Sequence, residues 1–225
     1  GTGTSITMAK GTTFDSKVND VSYQYVTNED ITTTPIDGIF TFSNVTIYEG
    51  TLVKFKYTVD ETDVDQKFII PSSNADTSTL KVIVQNSASD TSSNTYTLSS
   101  GFSGVGSDSK VYFIQESTDG KLEVYFGDGV TGKKLENGNV VILEYIVTNK
   151  TSSNGAKTFA LQGSVGGFTN VSITTNSVSQ GGADSEDNES VKFNAPLNFA
   201  AQDRAVTTTD YETLVKGIYP NALSV

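Results

Sequence analysis

Few stretches of this chain could do chemistry. Gly127-Asp128-Gly129-Val130-Thr131-Gly132-Lys133-Lys134 fits G-x-x-x-x-G-K, the spacing with which a glycine-rich loop cradles phosphates. It places Lys134 where a phosphate loop needs Ser or Thr for magnesium, and Asn137-Gly138 and a strand follow where a helix should open. The segment therefore reads as a glycine-permitted turn in which Asp128 bonds to nearby amides. Asp60, Glu61, Asp63 and Asp65 offer the closely spaced oxygens that calcium favours, without the glycine and distal glutamate of an EF-hand loop. They read as a solvated acidic loop. A carboxylate pair could hydrolyse glycosides, yet no spacing singles out two of the 26 acids, and no Trp is present to stack a sugar. Arg204 is the sole arginine and lies just before Val206 and Thr207. A guanidinium binds two carbonyls or one carboxylate at once, so Arg204 reads as the pin of an element junction, with a subunit contact as the alternative.

Absences narrow the choice further. Zero His and zero Cys exclude a Ser-His-Asp triad, a thiol nucleophile, a His/Cys zinc site and disulfides. No catalytic residue, cofactor or metal is assigned. A formal charge of −11 repels phosphate backbones, and no basic cluster offsets it, so nucleic acid is not an expected partner. No apolar run reaches a membrane span, and no signal peptide is visible. The chain opens without an initiator Met, which suggests a piece of something longer.

These turns need elements to hold them. The 225 residues include 31 Thr, 26 Ser, 16 Asn and 20 Gly, a composition that favours many short strands joined by polar turns. Residues 1–17 read as an extended strap. Alternating apolar residues then predict strands at Val21, Tyr23 and Tyr25, at Phe40 to Ile47, and at Val53, Phe55, Tyr57 and Val59. Further strands are predicted at 68–70, 80–84 and 96–98, with polar connections at 72–78 and 86–94. A Gly/Ser stretch, 99–109, reads as a linker. Next comes a hairpin of strands 111–115 and 122–126 around Asp119-Gly120, then the turn Gly127-Asp128-Gly129, the strong strand 140–147, and weaker strands at Phe159, Leu161 and Val171, Ile173. Thr207 and Asp210 have the spacing of a capping box with Val206 and Tyr211 as its hydrophobic staple, predicting a helix start there, with Thr209 and Glu212 as a competing cap two residues later. The fold class is thus mainly β. Two small antiparallel units, 18–98 and 110–178, are followed by a short helical segment, 179–225.

Several of these residues also carry a resemblance. Gly181-Gly182-Ala183-Asp184, Ala195-Pro196, Arg204-Ala205-Val206-Thr207 and Asp210-Tyr211-Glu212 resemble the signature of the baseplate J-like proteins of contractile phage tails. The hairpin Val124 to Gly132, with Glu144-Tyr145 and Thr148-Asn149 after it, is similar to that family's Gly-Asp-Gly hairpin. The earlier half is most similar to the baseplate wedge proteins of T4-like phages. One departure is Lys150, where the family has glycine after Thr-Asn. The resemblance implies a virion structural subunit of the tail baseplate, without catalysis. It would pair with a copy of itself, contact other wedge proteins, and form a ring around the hub that rearranges when the sheath contracts. It also implies that residues 179–225 are a truncated part of a mixed α/β domain. A rival reading, from a different class, is a surface adhesin that binds glycan through loops such as 86–94.

Overall fold

A computed structural model describes residues 4–102, 104–117 and 121–183 of the chain. The chain divides into two units, Gly1–Gly182 and Ala183–Val225, and the second lies outside the described residues except for Ala183. The predicted C-terminal helix therefore falls on residues that are not described. Within the first unit the fold is mainly β, as the composition requires.

The strands group into two modules, one inserted in the other. The outer module opens with β1 (Ile6–Met8), β2 (Thr13–Val18), β3 (Val21–Val26), β4 (Ile31–Thr33) and β5 (Tyr48–Glu49). The chain then leaves for the inserted module: β6 (Thr51–Thr58), β7 (Phe68–Ile69), β8 (Ala75–Gln85), β9 (Ser93–Leu98), β10 (Val111–Glu116), β11 (Leu122–Phe126) and β12 (Val140–Val147). It returns through a 3-10 turn, Lys150–Ser153, to β13 (Ala160–Gln162). The inserted sheet runs β6-β12-β8-β9-β10-β11-β7; the outer one runs β13-β2-β3-β5, with β1 and β4 paired separately.

This grouping corrects the division into consecutive units at 18–98 and 110–178, because β12 is central to a sheet begun by β6, and β13 joins β2. It also corrects the strap at 1–17. Asn19 and Asp20 both take positive φ, 49° and 64°, and close a two-residue hairpin that zips Thr13–Val18 onto β3. Nor is 99–109 a linker between domains. Thr97 and Leu98 pair in parallel with Val111 and Tyr112, so both ends of the loop are fixed in one sheet.

Strand β9 accounts for the shape of the inserted module. Its residues 93–96 pair with β8 and its last two with β10, so it passes from one half of the sheet to the other. One core is shared across that corner: Val82, Val84, Val141, Leu143 and Tyr145 pack with Ile70, Tyr112 and Val124. Tyr96, the one buried residue of β9, belongs to the same cluster. Phe68, Phe126 and Tyr96 meet edge to face at 5.5 Å, the favoured aromatic geometry. Strand β12 has seven of eight residues buried, which explains its nearly unbroken apolar sequence between β6 and β8.

The β8–β12 ladder is interrupted once. From Glu144 to Ile146 β12 advances two residues, while β8 runs from Lys81 to Asp76. The Ile146 N–H is left without a ladder partner and donates to Thr79 Oγ1 at 3.0 Å; that hydroxyl donates to the Asp76 carbonyl at 2.7 Å. A buried side chain thus fills the place of a missing strand bond. The polar stretch expected at 72–78 is correspondingly strand from Ala75 onward.

The outer module has a separate core around Met8, Phe14, Tyr25, Ala156 and Val165. Phe42, Val45 and Ile47 pack against it from a loop, with no strand at 40–47, and Val171 and Ile173 are likewise outside any strand. Strand β6 forms where expected, but it is an edge strand and Phe55 remains 39% exposed.

Candidate functional site

The Gly-Asp-Gly segment follows β11 as a closed loop. Gly127 and Gly132 touch: a Cβ on Gly127 would stand 2.2 Å from the Gly132 carbonyl carbon, so no other residue fits. Gly129 adopts φ 91° and its N–H donates to the Gly132 carbonyl at 3.0 Å. Asp128 Oδ1 accepts from Thr131 N–H at 2.8 Å and Val130 N–H at 2.9 Å. Those two amides, Thr131 first, hold the Asp128 carboxyl below the usual carboxylate range. The aspartate thus occupies the amides that a phosphate would need. The loop rests on its neighbour, with Gly132 N–H donating to Gly106 O and Lys133 N–H to Ser109 O.

The acidic run is likewise turned onto its own backbone. Asp60 Oδ1 accepts from the Thr62 hydroxyl at 2.6 Å and from Thr62 N–H at 2.9 Å, and these two bonds lower its pKa, the hydroxyl first. Asp63 Oδ1 accepts from Asp65 N–H at 3.2 Å, while Glu61 pairs with Lys134 at 3.3 Å. Among the described residues no group of three or more acidic side chains is arranged to hold a metal, and no helix is long and apolar enough to cross a membrane. Arg204, Val206, Thr207, Asp210 and Tyr211 lie outside the described residues.

The contacts that sequence reasoning missed lie where the two modules meet. Glu144 sits in β12 with its side chain 3% exposed. Its Oε1 is 2.7 Å from Lys10 Nζ, which comes from the outer module, and its Oε2 is 3.5 Å from Lys54 Nζ on the adjacent strand β6. A buried carboxylate with no cation at all would be severely destabilising, and here two lysines share the task of compensating it. Beside them Lys81 of β8 donates to the Asn28 carbonyl of the outer module at 2.6 Å. A readable signal existed: Glu144 is a lone charge inside Val140–Val147. The two passages between modules lie together. Glu49 accepts from Asn149 N–H at 2.8 Å and from its side-chain amide at 2.6 Å. Gly50, at φ 121°, has room for no Cβ, which would fall 2.1 Å from the Val147 carbonyl oxygen. Lys150, standing where the resembled family has glycine, takes φ 58°.

The chain is thus a β module carried on a second β frame, joined across by the Lys10–Glu144 ion pair and the Lys81–Asn28 hydrogen bond. Residues 52–158 match the family described as the third domain of the bacteriophage baseplate wedge protein gp6. That match takes in β7 to β12 and all of β6 except Thr51. The chain is related to the baseplate wedge proteins of T4-like phages. It is 27% identical over 235 residues to the baseplate wedge protein gp6 of Enterobacteria phage T4, an alignment covering 93% of this chain. The chain spans 34% of that relative's length.

Proposed function

We propose that this chain is part of a structural, non-enzymatic subunit of a contractile-tail baseplate wedge. Its location is the virion tail baseplate, which follows from the relationship to wedge protein gp6. In this reading it pairs with a copy of itself, contacts other wedge proteins, and contributes to a ring around the hub that rearranges on sheath contraction. The finer resemblance to baseplate J-like proteins supports the same role for residues 110–225. In the same reading Gly127, Asp128 and Gly129 shape a loop end, while Arg204, Val206, Thr207, Asp210 and Tyr211, which lie outside the described residues, would cap and anchor a helix of a mixed α/β portion. The observation that carries the reading is the coincidence of the matched family segment, 52–158, with the inserted module.

Gold-labelled antibodies raised against this chain should mark the baseplate end of intact tails. Label on the capsid, or virions free of the protein, would refute the assignment. Self-association is checked by sedimentation equilibrium at tens of micromolar. A dimer is expected, and a monomer would remove the pairing from the proposal.

A further inference from the structure

The two modules share neither a strand ladder nor a hydrophobic cluster, since their strands fall in separate sheets and their buried clusters have no member in common. Strand β3 approaches β6 beside Gly50, whose N–H donates to the Gln24 carbonyl at 2.9 Å; beyond that approach, contacts of two kinds join the modules. The first is the pair of backbone passages at Glu49-Gly50-Thr51 and Val147-Thr148-Asn149. These lie side by side, bound by the Glu49–Asn149 hydrogen bonds and by the close approach of Gly50 to the Val147 carbonyl. Two adjacent passages at one place act as a hinge: they fix a point and leave an angle free.

The second kind consists of lysines reaching across. Lys10 grips Glu144 at 2.7 Å, and Lys81 bonds the Asn28 carbonyl at 2.6 Å. Glu144 stands three residues before Val147, about 10 Å along the strand, so a contact there has leverage over the angle. Lys10 has a side chain 32% exposed on a flexible stem, and water can receive its ammonium on release. Glu144 cannot be bared in the same way, and it need not be. Lys54 lies 3.5 Å from the second carboxylate oxygen and comes from the same module as Glu144, so a change of the inter-module angle does not carry it away. Release therefore leaves no unpaired buried charge.

We propose that Lys10 and Glu144 form a releasable latch that sets the angle between the outer and inserted modules, with the paired passages at Gly50 and Val147 as the hinge. The latch concerns motion inside this chain and stands whether or not the chain assembles in a baseplate. Under the baseplate reading it is the place where a wedge subunit would yield.

The chain has no cysteine, so spin labels on Ser22→Cys in β3 and Thr95→Cys in β9 report one inter-module distance by double electron–electron resonance. The parent should give one narrow distribution. Lys10→Ala should broaden it or shift it to a second distance, with the circular dichroism spectrum unchanged. Lys54→Ala, which removes the other cation from the same carboxylate, should leave it narrow. An unchanged distribution in Lys10→Ala overturns the proposal, and so does equal broadening by both variants, which would make charge compensation alone the cause. If Lys10→Ala does not fold, Lys10→Gln, which keeps most of the stem and removes the charge, takes its place: broadening is expected, and an unchanged distribution again overturns the latch.

Discussion

Thr79 shows how one hydroxyl can hold a sheet together. Its oxygen takes the Ile146 N–H that the ladder abandons, so Thr79→Val, nearly the same in shape, strands a buried amide. The expected loss is about 1–3 kcal/mol in urea unfolding, larger than Thr→Val at an exposed strand site. Titration at the residue scale is one-sided. With no His or Cys, little changes between the carboxylate and phenol ranges. Burial raises the pKa of Tyr25, Tyr57, Tyr96, Tyr112 and Tyr145 above the ordinary phenol value. A group whose folded pKa lies above its unfolded one contributes stability that is complete below the unfolded value and lost as pH rises through the folded value. Melting temperature should therefore fall above about pH 10, as the phenols ionise. Asp128 works in the opposite direction, since its lowered pKa gives a contribution lost in acid, below the ordinary carboxylate range. A melting temperature that holds constant up to strongly alkaline pH would contradict the burial of these rings. Glu144 was legible as an anomaly among apolar neighbours. Lys10 was not, because its partner lies 134 residues away in the sequence.

At the scale of elements, local signals succeeded where pairing is local. The 111–126 hairpin and the 140–147 strand follow from adjacent alternation, turn residues and apolar content. Phe40 to Ile47 shows why alternation alone misleads. Phe42, Val45 and Ile47 are buried against the outer core without a ladder, so apolar spacing reports burial and not hydrogen bonding. The course of β9 could not be read at all, since Ser93-Asn94-Thr95-Tyr96-Thr97-Leu98 buries only Tyr96. That residue fastens the corner where the sheet turns. Tyr96→Ala should cost about 3–5 kcal/mol, the range for removing a large buried ring. Thr95→Ala, on the exposed side of the same strand, should cost less than about 1 kcal/mol. Chemical denaturation of the two variants compares them, and equal losses would mean that β9 does not make the corner through Tyr96.

At the scale of the molecule, the order of strands in sequence hides the order in space. The polar stretch at 99–109 looked like a boundary, whereas the boundary lies at Gly50 and Val147, within short runs that carry no linker composition. An insertion whose ends pair as neighbouring strands, Thr51 opposite Val147, can be cut from its host without crossing its own core. The matched family segment begins beside that cut and runs past its far side to residue 158. Residues 50–149 expressed alone should therefore give a β-type circular dichroism spectrum and a single cooperative thermal transition. An excised segment that is unfolded, or that melts without cooperativity, would mean that the inserted module is not a body in its own right.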